Sequence, residues 1–170
     1  ASGRDYDRAL TPSGRDRVRQ VAKLLVAENE LPSLVLTSPL VRAEQTADIV
    51  ATLTDLRGRQ GALTIRRELE PGQDGLRLVA ECLRMADAEP SSPHAVMLVG
   101  HEPDLSALVG RLSGRAMPAG MDKAMVAGLD ATHARGVPAE ALRGRLPLAF
   151  LLAPKVPTLE RFPLPSPIQT

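Results

Sequence analysis

The stretch Val96-Met97-Leu98-Val99-Gly100-His101-Glu102-Pro103-Asp104 constrains the fold more than any other part of the chain. Four apolar residues in a row suit a buried strand. The Gly, His and Pro behind them end that strand and open a helix. In open α/β sheets, ligands bind outside the carboxyl ends of the strands. His101 is therefore delivered to a place where chemistry is done. A capping or simply buried His is an equally good reading of this stretch alone.

The same strand-then-helix unit recurs along the chain. Residues 1–9 are polar and read as a surface loop. Thr11-Pro12 is a helix start, with Thr11 as N-cap and Pro12 at the first helical position. Val18, Val21, Ala22, Leu24, Leu25 and Val26 give that helix an apolar face to about Glu28. Leu34 to Thr37 read as a short buried strand. Ser38-Pro39 repeats the N-cap-plus-Pro start before a helix that carries Ala43, Ala47, Ile49, Val50 and Leu53. Ala62 to Ile65 suit a short strand, and Leu76, Val79, Ala80, Leu83 and Met85 mark a third helix closed near Pro90. After the strand at 94–99, Leu105, Leu108, Val109 and Leu112 mark a fourth, stopped by Gly114. Strands at 124–129 and 146–152 follow.

This alternation predicts an α/β fold: a three-layer sandwich with a mostly parallel central sheet flanked by helices, over residues 1–152. Three prolines among residues 163–167 predict a Pro-rich C-terminal tail over 153–170, and an added edge strand is expected somewhere after about residue 140.

Composition narrows function by exclusion. A net charge of +1 leaves no strong field for nucleic acid or membrane. Aromatics at 2%, with no Trp, leave no stacking platform for single-stranded nucleic acid. The one cysteine, Cys82, falls in an apolar helical pattern and reads as a small core residue. The three histidines, His94, His101 and His133, lack partners at metal-ligand spacing, so neither a metal nor another cofactor is expected. The longest apolar run, Leu146 to Ala153, is interrupted by Pro147 and is too short to span a bilayer. A cytoplasmic location is expected.

Arg42 sits in the first turn of its helix, where a cation opposes the helix dipole. It is either a tolerated surface Arg or one aimed, with the helix N–H groups, at an anion.

Three motifs stand in order: Arg8-Ala9-Leu10-Thr11-Pro12-Ser13-Gly14, Ser38-Pro39-Leu40-Val41-Arg42-Ala43-Glu44-Gln45-Thr46-Ala47, and Val99-Gly100-His101-Glu102-Pro103. Over about residues 4–130 the chain resembles the histidine phosphatase (phosphoglycerate-mutase-like) superfamily, and within it the SixA-type phosphohistidine phosphatases. The resemblance implies a neutral His that attacks phosphorus in line, becomes phosphohistidine and is hydrolysed by water, while arginines and a second His hold the equatorial oxygens. Arg42 resembles the phosphate-clamping Arg and His101 the second pocket His; both are candidate catalytic and phosphate-binding residues. Arg8 resembles a further phosphate-binding Arg, although tethering its loop to Asp5 or Asp7 is an equal reading.

The family's Arg-His-Gly motif, which supplies the nucleophile, is nowhere in the sequence. Neither His94, at the start of its strand, nor His133, in a late polar loop, suits the role. The nucleophile is therefore expected upstream of residue 1, on a first central strand missing from this chain. Its absence would leave unpaired backbone and an apolar slot, and the alternative is that the Pro-rich tail or a partner chain fills that slot, although Pro is poor in a central strand.

The substrate reading also follows from the resemblance. The ester-cleaving branches carry a general-acid Glu two residues after a loop Leu. Here that Leu is Leu69 and the matching position is Pro71, with Glu70 one place off. An alkoxide leaving group needs a proton donor more than an imidazole does. The expected activity is thus phosphatase action on histidine-phosphorylated signalling proteins, such as phosphotransfer domains, with inorganic phosphate as product. Glu68, Glu70 or Asp74 reaching the pocket would favour a small-molecule phosphomonoesterase instead. A third reading is a non-catalytic module that binds phosphate or a phosphoprotein.

Overall fold

The computed structural model describes residues 3–88 and 95–165. Its elements are α1 (Gly3–Tyr6), α2 (Pro12–Ala27), β1 (Leu34–Thr37), α3 (Val41–Leu53), β2 (Leu63–Ile65), α4 (Leu76–Ala88), β3 (Val96–Val99), α5 (Asp104–Ser113), β4 (Val126–Leu129), β5 (Leu148–Ala153) and β6 (Thr158–Arg161). The α/β class is as expected. His94 and Pro90 lie outside the described residues.

β2, β1 and β3 form a parallel sheet in that order, with Val35 opposite Leu63 on one side and Met97 on the other. Alternation along the strands explains the layers. Val35 and Met97 point to a core shared with Val18 and Ala22 of α2 and Ala47, Val50 and Ala51 of α3. Leu36 and Leu98 point the other way, to Leu78 of α4 and to Leu69, with Cys82 packed alongside as the small core residue expected. Helices thus cover both faces, because successive strand residues face opposite sides.

β4, β5 and β6 form a second, antiparallel sheet. The sequence predicted a mostly parallel sheet; the parallel part is β2, β1 and β3, whereas β4, β5 and β6 pair antiparallel, β5 and β6 across a connection too short for a parallel crossover. Val21 and Leu25 of α2 pack on Phe150 and Leu152 of β5, while Met97 and Ala124 belong to both this cluster and the first. The two sheets therefore share α2 as a common cover. Among the described residues, one edge of β3 and one edge of β4 pair with no strand.

Gly128 of β4 stands opposite Phe150 of β5, at an irregularity in the register. A Cβ on Gly128 would lie 2.1 Å from Cε1 of the Phe150 ring. The ring lies where any other residue's side chain would begin.

Two local expectations change. Residues 3–6 form a helical turn rather than loop. The tail drawn from residue 153 holds β6, the added edge strand, before its prolines. Arg161 explains why it is held: Nη1 donates to Glu30 Oε1 at 2.7 Å and Nη2 to the Glu28 carbonyl at 3.2 Å, at the end of α2. The next residue, Phe162, donates its N–H to the Ala149 carbonyl and stacks its ring under Arg115.

Candidate active site

The site is built at the carboxyl ends of β1 and β3, where parallel strands hand over to helices. Thr11 caps α2, its Oγ1 accepting from Gly14 N at 3.0 Å, and Pro12 is the first helical residue, as the sequence predicts. Leu10, just before, donates its N–H to Gln45 Oε1 of α3 at 2.8 Å. The first two motifs are thereby tied together. Ala43 and Ala47 are buried. Small residues at these positions let α3 sit close over β1 and fix where Arg42 starts.

Ser38 departs from its expected role. It does not cap α3, whose N-cap is Leu40, without a side-chain cap bond. Ser38 is fully buried, and its Oγ lies 2.7 Å from His101 Nε2 while accepting from Leu40 N at 3.2 Å. The demand of a buried imidazole outweighs the cap. Nothing in the local sequence separates the two uses, since both ask for a short hydroxyl after a strand.

His101 follows β3 and is buried. Its Nδ1 lies 3.4 Å from Arg42 Nη2. A guanidinium only donates, so Nδ1 accepts and Nε2 carries the proton that goes to Ser38 Oγ. Burial first, and then the Arg42 charge, push the imidazole below its ordinary range, against the smaller opposing pull of Asp104 and Asp5. His101 is thus neutral near pH 7. Its favoured neutral form adds to stability above the unfolded value of about 6.5, and that contribution is lost as pH falls through the lower folded value. An NMR titration of the His101 Cε1–H resonance should give a midpoint below about 6.5; a midpoint above it refutes this account.

Arg42 is half-buried. Its Nη1 donates to the Asp5 carbonyl at 2.8 Å, and its Nη2 approaches Asp5 Oδ2 at 3.5 Å. Asp5 is a partner that sequence reasoning assigned to Arg8. Arg8 itself is exposed, and its side chain makes no hydrogen bond or ion pair among the described residues. Its main-chain N–H shares the Asp5 carbonyl, at 3.3 Å, with Arg42. His133 is exposed in a turn, remote in sequence from this cluster.

A small hollow of about 10 Å³ adjoins His101, lined by Glu68, Glu70, Gly100 and Asp104 among others. Glu68 is committed to Arg66, which forks onto it at 2.8 and 3.2 Å and also holds Glu81; the guanidinium keeps the Glu68 carboxyl below the usual carboxylate range. Asp104 Oδ2 accepts from Gly72 N at 2.7 Å and pins the loop of Glu70 to the start of α5. Asp74 accepts from Arg111 Nη1 and from Leu76 N and does not line the hollow. Glu70 is left as the carboxylate of this loop that lines the hollow without a side-chain partner among the described residues. Among those residues, no group of three or more His, Cys, Asp or Glu is arranged to hold a metal, and no helix is long and apolar enough to cross a membrane.

The arrangement sets a guanidinium, held by Asp5, beside a neutral imidazole at the start of a helix, which is chemistry suited to an anion. Comparison with known proteins agrees with the resemblance read from the motifs. Residues 2–69 match the histidine phosphatase superfamily (branch 1). The whole fold is similar to a solved structure of the protein histidine phosphatase SixA complexed with tungstate, with a TM-score of 0.67 and 25% identity over 91% of this chain and 89% of that one. It is also similar to a candidate phosphohistidine phosphatase SixA from Agrobacterium tumefaciens, with a TM-score of 0.62 and 23% identity over 91% of this chain and 89% of that one. A third, from Nakamurella multipartitia, has a TM-score of 0.60 and 24% identity over 92% of this chain and 90% of that one. The last two bear on the fold alone. No curated protein matches the chain.

Proposed function

We propose that this chain is a phosphatase of the SixA type, acting on phosphohistidine carried by a partner protein such as a phosphotransfer domain of a cytoplasmic signalling relay. The observation that carries the reading is the Arg42–His101–Ser38 cluster at the carboxyl ends of parallel strands. It pairs a fixed cation with an imidazole held in one tautomer. Arg42 holds the phosphoryl oxygens, where negative charge concentrates in the transition state, and His101 joins it once a proton on Nδ1 turns that nitrogen from acceptor to donor. An imidazole nucleophile of the Arg-His-Gly kind attacks phosphorus; the P–N bond to the substrate histidine breaks, and water then releases inorganic phosphate. Arg8, exposed beside the Asp5 segment, is a further candidate oxygen ligand.

Glu70 favours a second reading. A carboxylic acid beside His101 could protonate an alkoxide leaving group, which would suit a small-molecule phosphomonoester.

The test offers a histidine-phosphorylated phosphotransfer domain and p-nitrophenyl phosphate to the full reading frame and to the 170-residue chain side by side. Released phosphate is followed. We expect phosphate to be released from the phosphohistidine domain and far more slowly from the ester, by whichever form carries the nucleophile. Comparable rates on both would favour the phosphomonoesterase. Binding of phosphate with no turnover by either form would favour a non-catalytic module.

A further inference from the structure

We propose that Asp5 is a built-in anion that occupies the Arg42 clamp while the site is empty and is displaced by an incoming phosphate group. The proposal rests on the phosphate reading of the site and names what that phosphate must compete with.

Arg42 holds Asp5 by two contacts of unequal quality. The bond from Nη1 to the Asp5 main-chain carbonyl is 2.8 Å, within the normal range. The approach of Nη2 to the carboxylate Oδ2 is 3.5 Å, longer than a good N–H···O bond. The carbonyl therefore orients the guanidinium, and the carboxylate is only loosely engaged. Its side chain is 39% exposed, so it can turn to water without losing a buried bond.

The same Nη2 lies 3.4 Å from His101 Nδ1. Carboxylate and imidazole thus converge on one nitrogen, the nitrogen that an oxyanion between Arg42 and His101 must use. A phosphoryl oxygen and Asp5 Oδ2 compete for that donor, and their like charges repel at such range. Nothing else in the segment does this. The side chains of Arg4, Asp7 and Arg8 make no hydrogen bond or ion pair among the described residues.

The consequence is a weakened hold on free phosphate. An empty site already satisfied by Asp5 binds product less tightly, because displacing the carboxylate opposes binding. The carbonyl contact keeps Arg42 aimed throughout.

Isothermal titration with inorganic phosphate tests this on the wild type and on Asp5→Asn, Asp7→Asn and Arg42→Ala. Asp5→Asn keeps the size and the main-chain carbonyl but removes the charge. We expect it to bind phosphate about tenfold more tightly, with phosphate a correspondingly stronger product inhibitor. Asp7→Asn, a nearby carboxylate away from the clamp, should change affinity by less than about twofold, as a screened surface charge does. Unchanged or weaker binding by Asp5→Asn overturns the proposal, since Asp5 would then only orient Arg42. Equal tightening by Asp7→Asn overturns it too, as a general effect of net charge. Wild-type binding that is lost in Arg42→Ala establishes the phosphate site independently, so either result then counts against Asp5 alone. Phosphate binding by none of the four proteins overturns both the site reading and the proposal.

Discussion

Arg42→Ala is expected to weaken phosphate binding by about a hundredfold or more, because two charge-assisted hydrogen bonds at about 1.5–3 kcal/mol each are removed from the anion. The guanidinium is the cation beside His101, and its fork matches two phosphoryl oxygens at once. Turnover should fall at least as far, since the charge on those oxygens grows in the transition state. The fold should survive. Arg42 stands in the first turn of α3, and its side-chain partners are Asp5 and His101 rather than residues of the hydrophobic core. Arg42→Lys should fall between, keeping the charge but not the planar fork. Titration with phosphate and a thermal melt, run together, separate the two effects. An unchanged affinity in Arg42→Ala, with a normal melt, would mean that phosphate is held elsewhere.

The second large effect is on stability. Gly128→Ala should destabilise the protein by about 3 kcal/mol, at the upper end of the range for overpacking. The new Cβ would meet three Phe150 ring atoms between 2.1 and 2.5 Å. The ring is itself buried against Val21, Leu25 and Leu152, so it has little room to retreat. Phe150→Ala alone should also destabilise, by leaving a cavity. The pair made together should cost less than the sum of the two, because each relieves the other's defect. Denaturant titration of the four proteins measures the coupling. Strict additivity would show that the ring moves aside freely.

Much of this molecule was legible before any coordinates. The Thr11-Pro12 start of α2, the β1 span Leu34–Thr37 and the end of α5 at Gly114 follow from rules that act within a few residues: a hydroxyl capping an N–H, an apolar run, a glycine at φ 70°. The motif carrying Arg42 and the one carrying His101 were also plain, and the structure brings those two side chains within 3.4 Å.

What escaped notice depends on partners far along the chain. Ser38 looks like a helix cap until His101, 63 residues away, takes its hydroxyl. Asp5 looks like a tether for Arg8 until Arg42 reaches across to it. β6 lies in a stretch that reads as tail, because its hold on the fold comes from Glu28 and Glu30, more than 130 residues earlier. The sequence by itself determined the α/β class and the order of most elements, because capping, periodicity and strand ends are local physics, and its motifs pointed to Arg42 and His101 as candidates. Only the tertiary structure decided which sheet each strand joins, which hydroxyl serves the imidazole and which carboxylate sits on the clamp. Those choices are settled by burial and by competition among donors and acceptors that meet only after folding.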